Sequence, residues 1–358
     1  MKYVFIIQGE GRGHLTQAIA LKRMLESEGH VVSEILVGKS PARELPDFFT
    51  QKIGDVEINQ FRSPNFLPTA KNKRSYIGRS VAYNTTHVFK YASSIRYLKN
   101  EITQSGADKV INFYELLTGL TYAIFNIPVP CVCIGHQYLF LYHGFRFPQR
   151  FNRRSLFMLK FFTRLTCIGS EKRLALSLRQ MSPDERHKII VIPPLLREEV
   201  FNLKPYNGKY VLGYLLNNGF LTDVANYHHS HPDTNLHVFW DKSDEPATKV
   251  VDKTLCLHRI DDKLFLEKME GCTAYATTAG FESVCEALYL GKPVLMVPAH
   301  IEQDCNAYDA SFMGAGIVCD TFDIGALLRW ADYYHPNSQF HQWADQAKSI
   351  VLPLLNAV

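Results

Sequence analysis

Two short runs hold residues whose types and spacing can do chemistry. The first is Gly9-Glu10-Gly11-Arg12-Gly13-His14, directly after an apolar segment at residues 3–7. An imidazole with a pKa near ~6.5 can take a proton from a hydroxyl at neutral pH, so His14 is the candidate general base. Glu10 is the alternative base, and Arg12 offers a cation to an anionic ligand. A histidine at a helix start can also simply bond the backbone. The second run, residues 277–307, reads TTAGFESVCEALYLGKPVLMVPAHIEQDCNA. Its loop Thr278-Ala279-Gly280 follows apolar residues 272–277 and precedes Phe281, Val284, Cys285 and Leu288 at helical spacing. Gly280 lets a ligand approach the backbone, and the N–H groups at a helix start attract phosphate. Thr278 and Ser283 add hydroxyls, and Glu286, one turn beyond Glu282, can accept both hydroxyls of a ribose. Glu302, Gln303 and Asn306, expected in a loop after Pro298, suit sugar hydroxyls.

Such groups must be presented by strand ends. Strand 3–7, helix 15–28 and strand 31–37 make a βαβ unit. A glycine-rich loop there suits a dinucleotide, but Gly38-Lys39-Ser40 stands where that use wants an acid. Strand 109–113 carries Glu115 to the carboxyl edge of the sheet, where it can orient His14, bind acceptor or cap helix 116–125. Strand 127–134 leads to the loop that carries His136 and Gln137. Strands at 165–168 and 189–192 flank a helix near 171–180, and Pro193-Pro194 makes a stiff crossover. The second half repeats the plan, with strand 210–215 and the loop at Asn217, strands 236–240 and 255–259, helix 264–269, and strand 294–297. Helices 307–312 and 324–333, strand 317–319 and a final helix 337–351 follow. The expected fold is α/β, two Rossmann-like doubly wound domains facing across a cleft. Residues 1–193 form the first, 194–335 the second, and 336–358 return toward the first.

The 358 residues are 46% hydrophobic, more than one core usually holds. No stretch nears the ~20 apolar residues that span a membrane, and the N-terminal apolar run is too short for a signal peptide. The eight cysteines lack paired CxxC spacing, so free thiols, a cytoplasmic setting and no zinc are expected. Residues 1–200 carry 28 Lys+Arg against 16 Asp+Glu, or +12; the remainder has 11 against 19, or −8. Residues 61–100 hold eight cations and no acid, interleaved with Phe66, Tyr76, Tyr83, Phe89, Tyr91 and Tyr97. Residues 142–164 hold six cations and no acid among six phenylalanines. That composition fits peripheral contact with an anionic membrane, at the inner face, or an amphipathic helix packed on its own domain. No nucleic-acid motif accompanies it, so no nucleic-acid partner is expected.

Taken in order, Gly280, Ser283, Glu286, Gly291, Pro293, Pro298, Glu302-Gln303 and Asn306-Ala307 resemble the donor-binding signature of inverting GT-B glycosyltransferases. These are the secondary-metabolite UDP-sugar transferases and the peptidoglycan N-acetylglucosaminyltransferase. GEGRGHLTQA and the His136-Gln137 loop look like a poorly characterised archaeal and bacterial branch of them. The resemblance implies metal-independent, inverting transfer from a nucleotide diphosphate sugar, with UDP as nucleotide, to a hydroxyl acceptor, lipid-linked or anionic. No resident cofactor is implied. Thr278, Gly280 and Ser283 would hold the pyrophosphate, Glu286 the ribose, and Glu302 with Gln303 the sugar. Asn217 would touch phosphate or sugar, and His258, Arg259 and Ile260 the base. Gly11, Arg12, Gly13, His136 and Gln137 would face the acceptor. Thr278 stands where many relatives carry a phosphate-binding histidine and Glu282 where they carry Asn; a carboxylate there repels phosphate unless it turns away. A nucleotide-sugar 2-epimerase and a non-enzymatic nucleotide-sugar binder are the other two readings.

Overall fold

Continuous apolar runs form the centre of each domain because parallel strands are covered by helices on both faces. In a computed structural model that describes residues 1–41, 44–64, 88–149, 153–215, 218–242 and 244–356, they assemble two sheets. The first comprises β1 (Lys2–Gln8), β2 (Val31–Lys39), β3 (Glu57–Arg62), β4 (Lys109–Phe113), β5 (Cys131–Ile134), β6 (Lys172–Leu176) and β7 (Ile189–Ile192). Its order is β3-β2-β1-β4-β5-β6-β7, all parallel. Tyr3, Phe5 and Ile7 of β1 enter one core and Val4 and Ile6 the other, the period-2 split of a strand buried on both faces.

The second sheet comprises β8 (Val211–Leu215), β9 (Leu236–Trp240), β10 (Thr248–Val250), β11 (Leu255–Arg259), β12 (Ala274–Thr277), β13 (Val294–Met296) and β14 (Gly316–Val318). Its order is β10-β11-β9-β8-β12-β13-β14, and only the added edge strand β10 runs antiparallel among the described strands. Strand order reverses beside β1 and β4 in one sheet and beside β8 and β12 in the other. Loops at such switch points part and leave a crevice at the carboxyl ends.

Three expectations are corrected. Residues 165–168 are not a strand: helix Arg153–Thr166 takes the first two, Cys167 and Ile168 belong to the turn that Gly169 completes at φ 73°, and β6 occupies part of the segment expected to be helical. Arg-Leu-Ala-Leu suits either state, and pairing with β5 and β7 on both sides decides for strand. Glu302, Gln303 and Asn306 lie on helix Ile301–Phe312 rather than in a loop, its N-cap being His300, two residues after Pro298. The final helix is two, Ser338–Asp345 and Ala347–Asn356. They return over the first sheet: Trp343 Nε1 donates to the Ser177 carbonyl (2.9 Å) and Lys109 Nζ to that of Leu355 (3.0 Å).

Of the basic aromatic stretches, Phe66, Tyr76 and Tyr83 lie outside the described residues. Helix Arg153–Thr166 buries Leu159, Thr163 and Thr166, while Phe157 and Phe161, 62% and 44% exposed, stack on its outer face. No helix of the described residues is long and apolar enough to cross a membrane.

Candidate active site

The carboxyl ends of both sheets open into one cleft of about 590 Å³, with His14 on one wall and Gly280 on the other. Glu10, Gly11, Arg12, Gly13, Glu115, His136 and Gln137 line it from the first domain. Ile260, Thr278, Gly280, Ser283, Glu286, Glu302 and Gln303 line it from the second.

On the first wall, helix Arg12–Glu26 starts at Gly11, which has no side-chain cap. His14, on its first turn, is 8% exposed. Its Nδ1 lies 3.3 Å from Gln17 Oε1, one turn on, and its Nε2 lies 3.2 Å from Gln137 Nε2. Tyr114 stacks on the ring at 5.7 Å and holds a left-handed φ of 61°, a strained setting for a residue with a Cβ. Burial pushes the His14 pKa down to about 4, against the pull of Glu302, so at neutral pH the ring is uncharged and can accept a proton. Glu10 Oε1 accepts from the Ser40 N–H (2.6 Å) and ties the glycine loop to the end of β2. Arg12 lies over Phe48, 5.6 Å from the ring centre.

Glu115 does not orient His14. It caps helix Leu116–Ile124 through Leu117 N (3.0 Å) and accepts from the Ser63 hydroxyl (2.5 Å), because its backbone sits at the N-cap where a carboxylate reaches the second N–H. Fully buried, its carboxyl is pushed up to about 7 by desolvation.

On the second wall, Ala279 takes a left-handed φ of 63°, and Gly280 caps helix Phe281–Tyr289. The first N–H to bond within the helix is that of Val284, to the Gly280 carbonyl (3.2 Å), so the three N–H groups before it face the loop. Asn306 Nδ2 donates to the Ala279 carbonyl (3.2 Å), and Gln303 Oε1 accepts from Ala299 N (2.9 Å); both brace the turn. Glu286 is not on a polar face. It is 2% exposed and clasped by Arg197, whose Nε and Nη2 reach its two oxygens at 2.6 and 2.7 Å. Both partners are buried at the edge of the cleft, so the carboxylate is paired and not desolvated alone.

Glu282 turns away from the helix axis toward the other wall, where Gln17 Nε2 donates to it, and burial raises its pKa. A Cβ on Gly13 would stand 3.0 Å from the Glu282 carboxyl carbon, so glycine lets this crossing form with no shift of the glutamate. Glu302 also crosses: Gln137 Nε2 donates to its Oε1 (3.1 Å), and His136 Nε2 lies 3.2 Å away. Burial opposes its charge, but the His136, His300 and His14 rings hold its carboxyl down at about 2. His136 itself stacks on Phe281 at 4.6 Å.

Arg259 is exposed and does not line the cleft, and His258 turns the other way to bond His237 and Thr248 at 2.9 and 3.0 Å. Pairing of β11 with β10 fixes that alternation, and β10 was not foreseen. Asn217 lies outside the described residues. Gln17, Tyr114, Arg197 and Asp262 join the site from outside the two runs that carry its chemical motifs. Helical spacing from His14 points to Gln17; nothing local points to Arg197, whose partners are 65 and 89 residues away.

The profile of the family described as Glycosyl transferase family 1 matches residues 1–329. Among solved structures, the spinosyn forosaminyltransferase SpnP is similar at TM-score 0.63 and 15% identity, covering 99% of this chain and 98% of that one. The glycotransferase of kitacinnamycin is similar at 0.60 and 15%, covering 97% and 94%. A Phytolacca americana UGT2, solved with UDP-2fluoro-glucose and pterostilbene, is similar at 0.59 and 12%, covering 97% and 95%. No curated protein matches the sequence. At these identities the structures establish the two-domain fold, and the family match sets the purely binding reading aside.

Proposed function

From the premise that the chain belongs to glycosyl transferase family 1 and is a sugar-transferring enzyme, we propose that it inverts the anomeric centre as it moves a sugar from a UDP-sugar to a hydroxyl acceptor. One observation supports this most: an uncharged His14 faces, across a single cleft, a helix start whose N–H groups suit a diphosphate. His14 Nε2 takes the proton of the acceptor hydroxyl, and the oxygen attacks the anomeric carbon from the side opposite the departing diphosphate. The new carbon–oxygen bond forms as the bond to the β-phosphate breaks, and the electron pair leaves on the phosphate oxygen. Gly280, Thr278 and Ser283, with the helix start, stabilise that departing charge in a preorganised site. Glu286 meets the ribose and Gln303 the sugar. Nothing in this scheme asks for a metal, and transfer that persists in EDTA is the expected outcome.

His14→Ala should lower transfer at least about 100-fold while UDP binding by calorimetry stays near wild type. Equal loss of both removes the base assignment. A thermal-shift screen over nucleoside diphosphates tests the nucleotide, since a ligand of the native state raises the melting point in proportion to its affinity. The acceptor on this reading is lipid-linked or anionic, supported by the stacked Phe157 and Phe161 between Arg154 and Arg164. Vesicles with anionic lipid should retain the chain in a salt-sensitive way, and Phe157→Ser/Phe161→Ser should release it. Indifference to lipid charge ends the membrane reading.

A further inference from the structure

His14 is bracketed by two glutamines, and each glutamine gives its other hydrogen bond to a carboxylate of the opposite domain. We propose that Gln17 and Gln137 are positioning residues through which Glu282 and Glu302, arriving as the cleft closes, set the tautomer of His14; this rests on the base reading above. Ionised carboxylates only accept, so each glutamine must turn its NH2 toward its glutamate. Gln17 then has only its carbonyl oxygen for Nδ1, 3.3 Å away, and that nitrogen must carry the proton. Gln137 spends one N–H on Glu302 and aims the other at Nε2, 3.2 Å away, and that nitrogen must be the bare lone pair. The ring is thereby fixed in the form a base requires, with Nε2 facing the cleft. An acceptor hydroxyl can replace the Gln137 N–H as donor to Nε2 with no change of tautomer. With the domains apart, both amides are free to turn over and the ring loses its instruction. The other titratable groups facing His14 are Tyr114, stacked on it, and His136 beside Glu302.

The two links are tested separately by near-isosteric changes on different helices. A chain labelled with 15N-histidine is examined with UDP present, and His14 is assigned by the signal lost in His14→Asn. In the wild type, His14 should carry its proton on Nδ1 alone. In Glu282→Gln and in Glu302→Gln the second tautomer should appear, because a glutamine there accepts or donates. The exchange Gln17→Glu/Glu282→Gln should restore the single tautomer, since a carboxylate at 17 again only accepts from Nδ1. It should also raise the His14 pKa by about 1 to 3 pH units. A single tautomer in both single variants, or an exchange without that rise, overturns the proposal. If His14→Ala keeps transfer, the base reading itself falls, whatever the spectra show. If His14→Ala is inactive and the spectra do not change, only the glutamine links fall.

Discussion

A base that is uncharged at neutral pH need not have a pKa near neutrality. Burial holds the His14 ring unprotonated down to about pH 4, so transfer is expected to stay level from pH 8 to about 5 and to fall only below that. An acid limb near 6.5 in a pH–rate profile would mean that the working ring is solvated. Glu115 acts on stability instead. Its folded pKa of about 7 lies above its unfolded value, so the folded chain binds more protons between the two. The stability it contributes is complete below about pH 4.5 and is lost as the pH rises through 7. Glu115→Gln should therefore melt with a flatter pH dependence than the wild type between pH 5 and 8, and parallel curves would refute the assignment. The sequence placed Glu115 at a strand end but left orientation and capping open. Only the backbone at the N-cap chooses between them.

Between elements, the join after the two prolines is an electrostatic one. Arg197 grips Glu286 of the helix that starts at Gly280 and also Asp262 of helix Asp262–Gly271, to which Lys52 of the first domain is paired as well. Burial works against the guanidinium charge, and Glu286 more than restores it. Arg197→Met leaves a buried carboxylate unpaired and should cost on the order of 3–5 kcal/mol by denaturant unfolding. Arg197→Met/Glu286→Leu should cost clearly less than the single change, because no lone charge remains. Additive losses would show that the pair matters only as packing. Strand-loop-helix order at both cleft edges was legible because it rests on local periodicity. The misreadings at β6 and at helix Ile301–Phe312 fall where local preference is ambiguous and neighbouring elements decide.

Across the whole molecule, a basic half, +12, and an acidic half, −8, face each other, and the crossings of Glu282 and Glu302 join them. Gly13→Ala sets a methyl group against the Glu282 carboxyl and should prop the cleft open. Small-angle scattering with UDP present should then give a larger radius than the wild type, and transfer should fall on the order of 100-fold from misplacement alone. An unchanged radius with full activity would show that the crossing is dispensable. The sequence by itself determined two doubly wound halves, the loops that line the cleft, and the wall to which His14 and Gly280 each belong. Period and turn chemistry are properties of neighbours along the chain, and they survive without any knowledge of what packs opposite. Tertiary structure decided the partners: which carboxylate reaches Gln17, which arginine holds Glu286, and which way Arg259 points. Those contacts join residues tens to hundreds of positions apart, and no local preference encodes the distance at which two separately folded walls come to rest.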